Sequence, residues 1–317
     1  MGTSIDFERL ISPLTIGEIV ACCKSGKPIF QNGDGAFRKL FNRKRFDQAA
    51  RRSDEVHVTY PGKHRRSMRP ASRIDADDID MHYAAGGTVC ITGVNLAASQ
   101  LQRLSKACKM SLGWSGIVDC RAYLSNDNSG YTPHFDDKTV ITLQIEGCKE
   151  WQVADAPAMR NPITNAGRFP DGVYRYFRDA AELEPWEHFE QPEFPGNAAT
   201  YTLNAGDMLV VPAGVWHSAC AKGHSLSIAI ALNHVGAGSA RDIVFSTLMK
   251  QVISDPDWRG AAPMTPLHKG DGPYESLSEI DEFLVAQLRS LRDLVDRNLE
   301  DRSDLIGTWA QSLRTDP

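Results

Sequence analysis

The sequence predicts an α+β fold: a mainly β sandwich or barrel in the middle of the chain, flanked on both sides by helical regions. Three observations carry this. Seven short strand candidates, at 117–124, 139–146, 148–153, 199–203, 208–211, 215–219 and 225–232, are separated by Gly, Pro, Asn or Asp. Helical spacing prevails over much of the chain before residue 111 and again after residue 238. With 317 residues, 42% apolar and 24% charged, the chain has length for one large domain or two ordinary ones and lacks the bias of disordered or fibrous sequences.

Taken in order, residues 16–24 have helical spacing, 37–52 form a basic amphipathic stretch, and 75–85 open on an acidic first turn. After Gly86-Gly87 the pattern reads as a strand at 88–92, then a helix at 96–111 with Leu101 and Leu104 on its apolar side. The strand rhythm from 117 onward is interrupted at 155–197, a segment rich in Pro, Gly and aromatics (Phe169, Tyr174, Tyr176, Phe177, Trp186, Phe189, Phe194). A lid over a binding site and a hydrophobic cap on one barrel end both fit it. Past 238, Ser276 and Glu279 make a capping-box pattern, and Leu277, Leu284 and Leu291 recur every seven residues beside Ile280, Leu288, Leu294 and Val295. That helix packs on its own barrel or forms a homodimer seam. The division expected is a mixed, largely helical region at 1–110, a barrel at 111–237 with the insertion 155–197, and a helical region at 238–317.

A formal charge of -5 is too mild to imply a nucleic-acid partner for the whole chain. Residues 38–73 nevertheless hold 12 Lys/Arg against 3 Asp/Glu. With three aromatics interleaved and no nucleic-acid motif, this stretch reads as a solvated basic face, with an acidic peptide or RNA partner as the alternative. The seven cysteines are odd in number and lack C-x-x-C spacing, so they read as reduced, mostly buried thiols. No signal peptide and no 18-residue apolar run is present, which points to a cytoplasmic protein without a membrane partner.

The chemistry gathers in two segments. In Tyr131-Thr-Pro-His-Phe-Asp-Asp137, His134 and Asp136 stand at i and i+2 on a strand and share a face. Asp137 then points the other way. The later run Gly206-Asp-Met-Leu-Val-Val-Pro-Ala-Gly-Val-Trp-His217 reads as strand, Pro-x-Gly turn, and a histidine opening the next strand. Two imidazoles and one carboxylate make the facial triad that leaves metal positions open in non-haem Fe(II) oxygenases. A His-x-Asp pair alone is commonplace; the turn-borne His217 supplies the specificity. The other histidines (His57, His64, His82, His188, His224, His234, His268) lack paired ligand spacing and read as surface or hydrogen-bonded residues, with His188 inside the insertion.

The block CRAYLSNDNSGYTPHFDDKTVITLQIEGCKEWQV, followed by GDMLVVPAGVWHSA and SLSIAIAL, resembles the cupin barrel (double-stranded β-helix, jelly roll) and within it the JmjC-type Fe(II) and 2-oxoglutarate-dependent oxygenases, notably the ribosomal-oxygenase branch. The likeness covers roughly residues 75–234. It implies His134, Asp136 and His217 as iron ligands, 2-oxoglutarate and O2 as cosubstrates, and hydroxylation of a C–H bond in a protein or peptide side chain with release of succinate and CO2. A free amino acid or small peptidic metabolite as substrate, and a non-catalytic metal-holding scaffold, stay open.

The cosubstrate is a dianion whose far carboxylate needs a buried cation. Lys149 is the candidate, because a tight turn at Glu146-Gly147 would set Lys149 and Trp151 on one face of a returning strand; an exposed hairpin lysine is the alternative. The arginine that another oxygenase subfamily carries ten residues past the distal histidine is replaced by Ser227. Tyr123 and Ser227 match family hydroxyls on the cosubstrate carboxylate, or are satisfied barrel residues. Thr132 is a weaker candidate. Val140 and Ile141 stand where a germin-like cupin would need a fourth, glutamate ligand.

Overall fold

Alternation of large and small residues in the run Ser225-Leu-Ser-Ile-Ala-Ile-Ala-Leu232 divides a strand into an oily face and a slim one. In the computed structural model, which describes residues 5–60, 72–168, 174–176, 193–259 and 278–314, that division organises the whole barrel. The chain forms two compact units that meet at Gly236/Ala237.

In the first unit, α1 (Phe7–Ile11), α2 (Ile16–Ser25), β1 (Ile29–Gln31), α3 (Arg43–Ala50), β2 (Val56–Thr59), β3 (Ser72–Arg73), α4 (Ile79–Ala84), β4 (Thr88–Ile91), α5 (Val94–Ala97) and α6 (Ser99–Leu112) precede the barrel strands. Those are β5 (Val118–Ser125), β6 (Gly130–Phe135), β7 (Lys138–Pro157), β8 (Ala166–Arg168), β9 (Tyr174–Tyr176), β10 (Ala199–Asn204), β11 (Met208–Val211) and β12 (Val215–Asn233). The main path of the antiparallel sheet runs β1-β11-β7-β12-β5-β4-β2-β3, with β10 on β7, β6 on β12 and β8, and β9 on β8.

Leu226, Ile228, Ile230 and Leu232 of β12, with Ile141, Leu143 and Ile145 of β7 and Val118, Cys120, Ala122 and Leu124 of β5, turn to a core shared with Leu101, Leu104 and Cys108 of α6. Each large aliphatic side chain buried there contributes about 2 kcal/mol. The opposite face carries Ser225, Ser227, Ala229 and Ala231 on β12, with Ser125, Tyr123, Arg121 and Asp119 directly across on β5. Small residues on the middle strand leave space inside the barrel.

Several expectations are corrected here. Residues 139–146 and 148–153 are one strand, β7, and 215–219 and 225–232 are one strand, β12. Glu146-Gly147 is a bend within the β7–β12 ladder and not a hairpin turn: Gly147 takes φ +67 and lies so close to β12 that a Cβ would stand 1.7 Å from the His224 carbonyl. The helix expected at 96–111 is two, α5 and α6, separated by Ala98 in extended conformation. Short strands β1, β2 and β3 interrupt the N-terminal helices, β1 pairing with β11, β2 with β4, and β3 with β2. The insertion 155–197 contains β8 and β9; Phe169, Phe177, Trp186, Phe189 and His188 lie outside the described residues.

All seven cysteines are free thiols. The basic stretch is partly neutralised: Arg43 pairs with Asp47 and Asp80, Arg51 with Asp77 at 2.8 Å, and Arg73 with Asp54 at 3.9 Å. No described helix is long and apolar enough to cross a membrane. The second unit holds α7 (Ala240–Ser254), α8 (Ser278–Glu300) and α9 (Ser303–Arg314). Phe245, Met249 and Ile253 on α7, and Leu284, Leu288 and Leu299 on α8, are exposed, while Leu294 is buried. Ser276 and Leu277 lie outside the described residues.

Candidate functional site

Strand β6 carries His134 and ends one residue before Asp136, while β12 places His217 directly opposite His134. One atom from each of His134, Asp136 and His217 falls within a mutual 4.8 Å, and the His217 Nε2 stands 3.9 Å from the Asp136 Oδ2. A glycine makes this meeting possible. In the Pro-x-Gly turn, Gly214 has φ +79 and donates its N–H to the Asp136 carbonyl at 2.9 Å, and a Cβ there would stand 1.9 Å from the Met159 carbonyl.

Both imidazoles are oriented by their own strands. The Nδ1 of His134 lies 2.7 Å from the Thr132 carbonyl, and the Nδ1 of His217 lies 2.9 Å from the Val215 carbonyl. A carbonyl only accepts, so Nδ1 carries a proton on each ring and Nε2 is the atom turned to the site as a ligand. Thr132 therefore serves through its backbone. Burial, then the neighbouring His134 ring, pushes His217 down to about 4, so it is neutral at ordinary pH. For Asp136 burial works upward, but Lys138, His134, His217 and Arg121 together hold the carboxyl below its ordinary range. The donor set is thus two imidazoles and one carboxylate, which suits a divalent transition metal with positions left open. Asp137 accepts from Lys138 Nζ at 3.1 Å, a structural contact beside the triad.

Lys149 is only 2% exposed. Its Nζ donates to Ser125 Oγ at 3.1 Å and sits 5.7 Å from the centre of the Tyr123 ring; no ion pair reaches it among the described residues. Burial pushes the amine down to about 8. An amine held this way lacks a counter-anion, and one carboxylate would supply it. Ser227 pairs across the sheet with Tyr123 on one side and Gln144 on the other. Around them Thr142 Oγ1, Gln144 Oε1, Trp151 Nε1 and Arg121 Nε are buried without hydrogen-bond partners. So many orphaned polar atoms in one barrel fit a polar guest such as a keto diacid.

Sequence reasoning placed Lys149 and Tyr123 together but missed Ser125, Thr142 and Arg121. The period-two alternation of β5 was the available signal, because residues 121 and 125 share the face of Tyr123. Of the remaining histidines, His57 faces Glu55, His82 faces Tyr60, His224 faces Glu146 and Tyr83, and His234 faces Thr139; His64, His188 and His268 lie outside the described residues. Behind the triad, Tyr174 and Trp216 pack with ring centres 5.0 Å apart, and Phe135 lies 4.8 Å from Trp216. The described aromatics at Tyr174 and Tyr176 therefore sit with a hydrophobic cluster.

Comparison with known proteins agrees with this geometry. Residues 97–238 match the JmjC domain family. The chain is 28% identical over 235 residues to the Dictyostelium discoideum bifunctional lysine-specific demethylase and histidyl-hydroxylase NO66, covering 70% of this chain and 41% of that protein. It is 26% identical over 219 residues to YxbC of Bacillus subtilis, covering 67% of this chain and 61% of that one. The chain thus spans less than two thirds of the length of these curated relatives. The X-ray structure of Escherichia coli YcfD matches with a TM-score of 0.54 at 15% identity over 87% of this chain and 68% of that one. A YcfD ribosomal oxygenase structure in complex with cobalt and succinic acid matches at 0.51 with 14% identity, over 90% and 67%. Residues 97–238, a little under half of the chain, are thus similar to the JmjC domain, and they lie on a jelly-roll barrel of the cupin type.

Proposed function

We propose that this chain is an Fe(II)- and 2-oxoglutarate-dependent oxygenase that hydroxylates a C–H bond in a protein or peptide side chain. The observation that carries the reading is the convergence of His134, Asp136 and His217 within 4.8 Å, in the same barrel as the buried, unpaired Lys149. Ferrous iron in that triad would couple the reduction of O2 to the decarboxylation of the keto acid. The balance is R–H plus O2 plus 2-oxoglutarate to R–OH plus succinate plus CO2, with one oxygen atom entering each of the first two products.

The chain's own residues bind, orient and exclude water. His134, Asp136 and His217 would hold the metal through Nε2, a carboxylate oxygen and Nε2, leaving positions for the keto acid. Lys149 would neutralise the far carboxylate, with Ser125, Tyr123 and Ser227 as hydroxyl partners around it. The apolar wall of Leu203, Leu209 and Val211 keeps the charge pair dry, which strengthens it. Cobalt and succinic acid in YcfD, the latter being what 2-oxoglutarate becomes on losing CO2, support this reading. The named hydroxylase and demethylase activities of NO66 support a protein substrate. Pairing of two copies through the exposed apolar residues of α7 and α8 is proposed with it, and a monomer by light scattering at micromolar concentration removes that pairing.

The test is succinate formation and oxygen uptake with Fe(II) and 2-oxoglutarate, against His134→Ala. Turnover in the wild type alone supports the enzyme, and intact-mass screening of peptides for the gain of one oxygen atom identifies the substrate. Equal background in both leaves a metal-holding scaffold; oxygen gain on free amino acids but on no peptide moves the substrate class to small metabolites.

A further inference from the structure

Arg121 is a cation on the barrel's inner face that the proposed chemistry leaves without a task. It stands on β5 beside Tyr123, and its Nε is buried without a hydrogen-bond partner. Its guanidinium hydrogen-bonds the Tyr123 hydroxyl and feels Asp119 and Asp136, but neither carboxylate makes a close ion pair with it among the described residues, and Nε stays open. Asp119 is turned to the Nδ2 of Asn233 at 3.4 Å, and Asp136 belongs to the triad. A buried N–H donor without an acceptor is costly, and such groups persist where a ligand completes them.

The open donor says what kind of ligand: a guanidinium N–H takes an acceptor, and an anionic oxygen is the strongest one. Lys149 reaches Ser125, whereas the backbone of Arg121 lies four residues away on the same strand, about 13 Å along it, with Tyr123 between the two.

Across the sheet, Arg121, Ala229 and Thr142 form one transverse row on β5, β12 and β7. Strand spacing sets the outer two Cα atoms about 10 Å apart with only the alanine methyl between them. Thr142 Oγ1 is itself buried and without a partner. A fork of N–H donors on one side and a hydroxyl on the other, over a methyl floor, is a cradle for a carboxylate.

We propose, resting on the oxygenase reading, that Arg121 and Thr142 form the subsite for a carboxylate of the substrate, which makes the preferred target an acidic side chain or a chain-terminal residue. Arg121 is then a specificity-determining residue and Lys149 the cosubstrate residue.

The experiment measures binding with Mn(II) in place of iron. Mn(II)-loaded protein saturated with 2-oxoglutarate is titrated, by fluorescence anisotropy, with three labelled peptide pools: neutral and amidated, amidated with a central Asp or Glu, and neutral with a free C-terminus. One of the two acidic pools is expected to bind about thirty-fold more tightly than the neutral pool. Which one it is distinguishes side chain from terminus. Arg121→Gln abolishes the preference and Arg121→Lys keeps part of it, while the affinity for 2-oxoglutarate alone stays within about two-fold of wild type. Melting curves confirm folding, and if Arg121→Gln is unfolded the wild-type preference and the Arg121→Lys variant decide.

Binding of all three pools alike, or of none, overturns the proposal. So does a tenfold or larger loss of 2-oxoglutarate affinity in Arg121→Gln, which would make Arg121 a cosubstrate residue. If wild-type protein with Mn(II) fails to bind 2-oxoglutarate at all, the oxygenase reading itself has failed, before Arg121 enters.

Discussion

The rings of His134 and His217 face one another across the β6–β12 pair with centres 4.2 Å apart, and each is turned by a hydrogen bond to the carbonyl two residues before it. Orientation comes from each strand's own backbone, so the Nε2 atoms are fixed before any metal arrives.

Removing any one ligand should therefore cost metal affinity more than fold. His134→Ala, Asp136→Ala and His217→Ala are each expected to weaken Mn(II) binding about 100-fold or more, the upper end of what even outer contacts to a metal are worth. Calorimetric titration measures this. A variant that keeps wild-type affinity removes its residue from the triad.

Lys149 is a different kind of loss. Lys149→Met is expected to raise the Kd for 2-oxoglutarate in Mn(II)-loaded protein by about 100-fold, as deleting one member of a buried charge pair does. Ser125→Ala, which removes one neutral partner, costs about five-fold. Mn(II) binding itself stays unchanged in both. Unaltered 2-oxoglutarate affinity in Lys149→Met would take the lysine out of the pocket.

Much of this was legible because local pattern and burial coincide. The alternation from Ser225 to Leu232 announces a strand with one greasy face, and His134-x-Asp136 gains its meaning from the turn-borne His217. What could not be read is what a partner strand decides. Gly147 looks like punctuation, and only β12 lying against it turns a hairpin turn into a bend inside one long ladder. The row of Arg121, Ala229 and Thr142 joins residues far apart in sequence, and nothing local to any of them reveals it. Ser125 falls just past the strand expected at 117–124, and only closure of the barrel carries the Lys149 amine to it.

Burial of the Lys149 amine gives stability a pH signature. Its pKa in the fold is about 8, below the ordinary 10.5, so between those values the unfolded chain holds more protons than the folded one. Stability of the metal-free protein therefore rises with pH across that window, by about 3 kcal/mol from this group if nothing else titrates, and the cost is fully present below pH 8. Urea denaturation at pH 7.5 to 10.5 measures the slope, and Lys149→Met should flatten it. An identical slope in wild type and variant would show that the amine is hydrated in the folded state.

Two glycines with the same backbone angle separate strain from close approach. Gly214 and Gly223 both have φ +79, but a Cβ on Gly214 meets the Met159 carbonyl at 1.9 Å, whereas a Cβ on Gly223 has nothing within 4 Å. Left-handed backbone alone costs a non-glycine residue about 1 to 2 kcal/mol, which is all that Gly223→Ala should lose. Gly214→Ala must also push the turn away from Met159, and that turn's N–H is what ties it to the Asp136 carbonyl. A loss of about 4 kcal/mol or more is expected, together with weaker Mn(II) binding as His217 moves from Asp136. Were the two alanine variants equally stable and equally able to bind metal, the turn could not be what sets the distance between the third ligand and the first two.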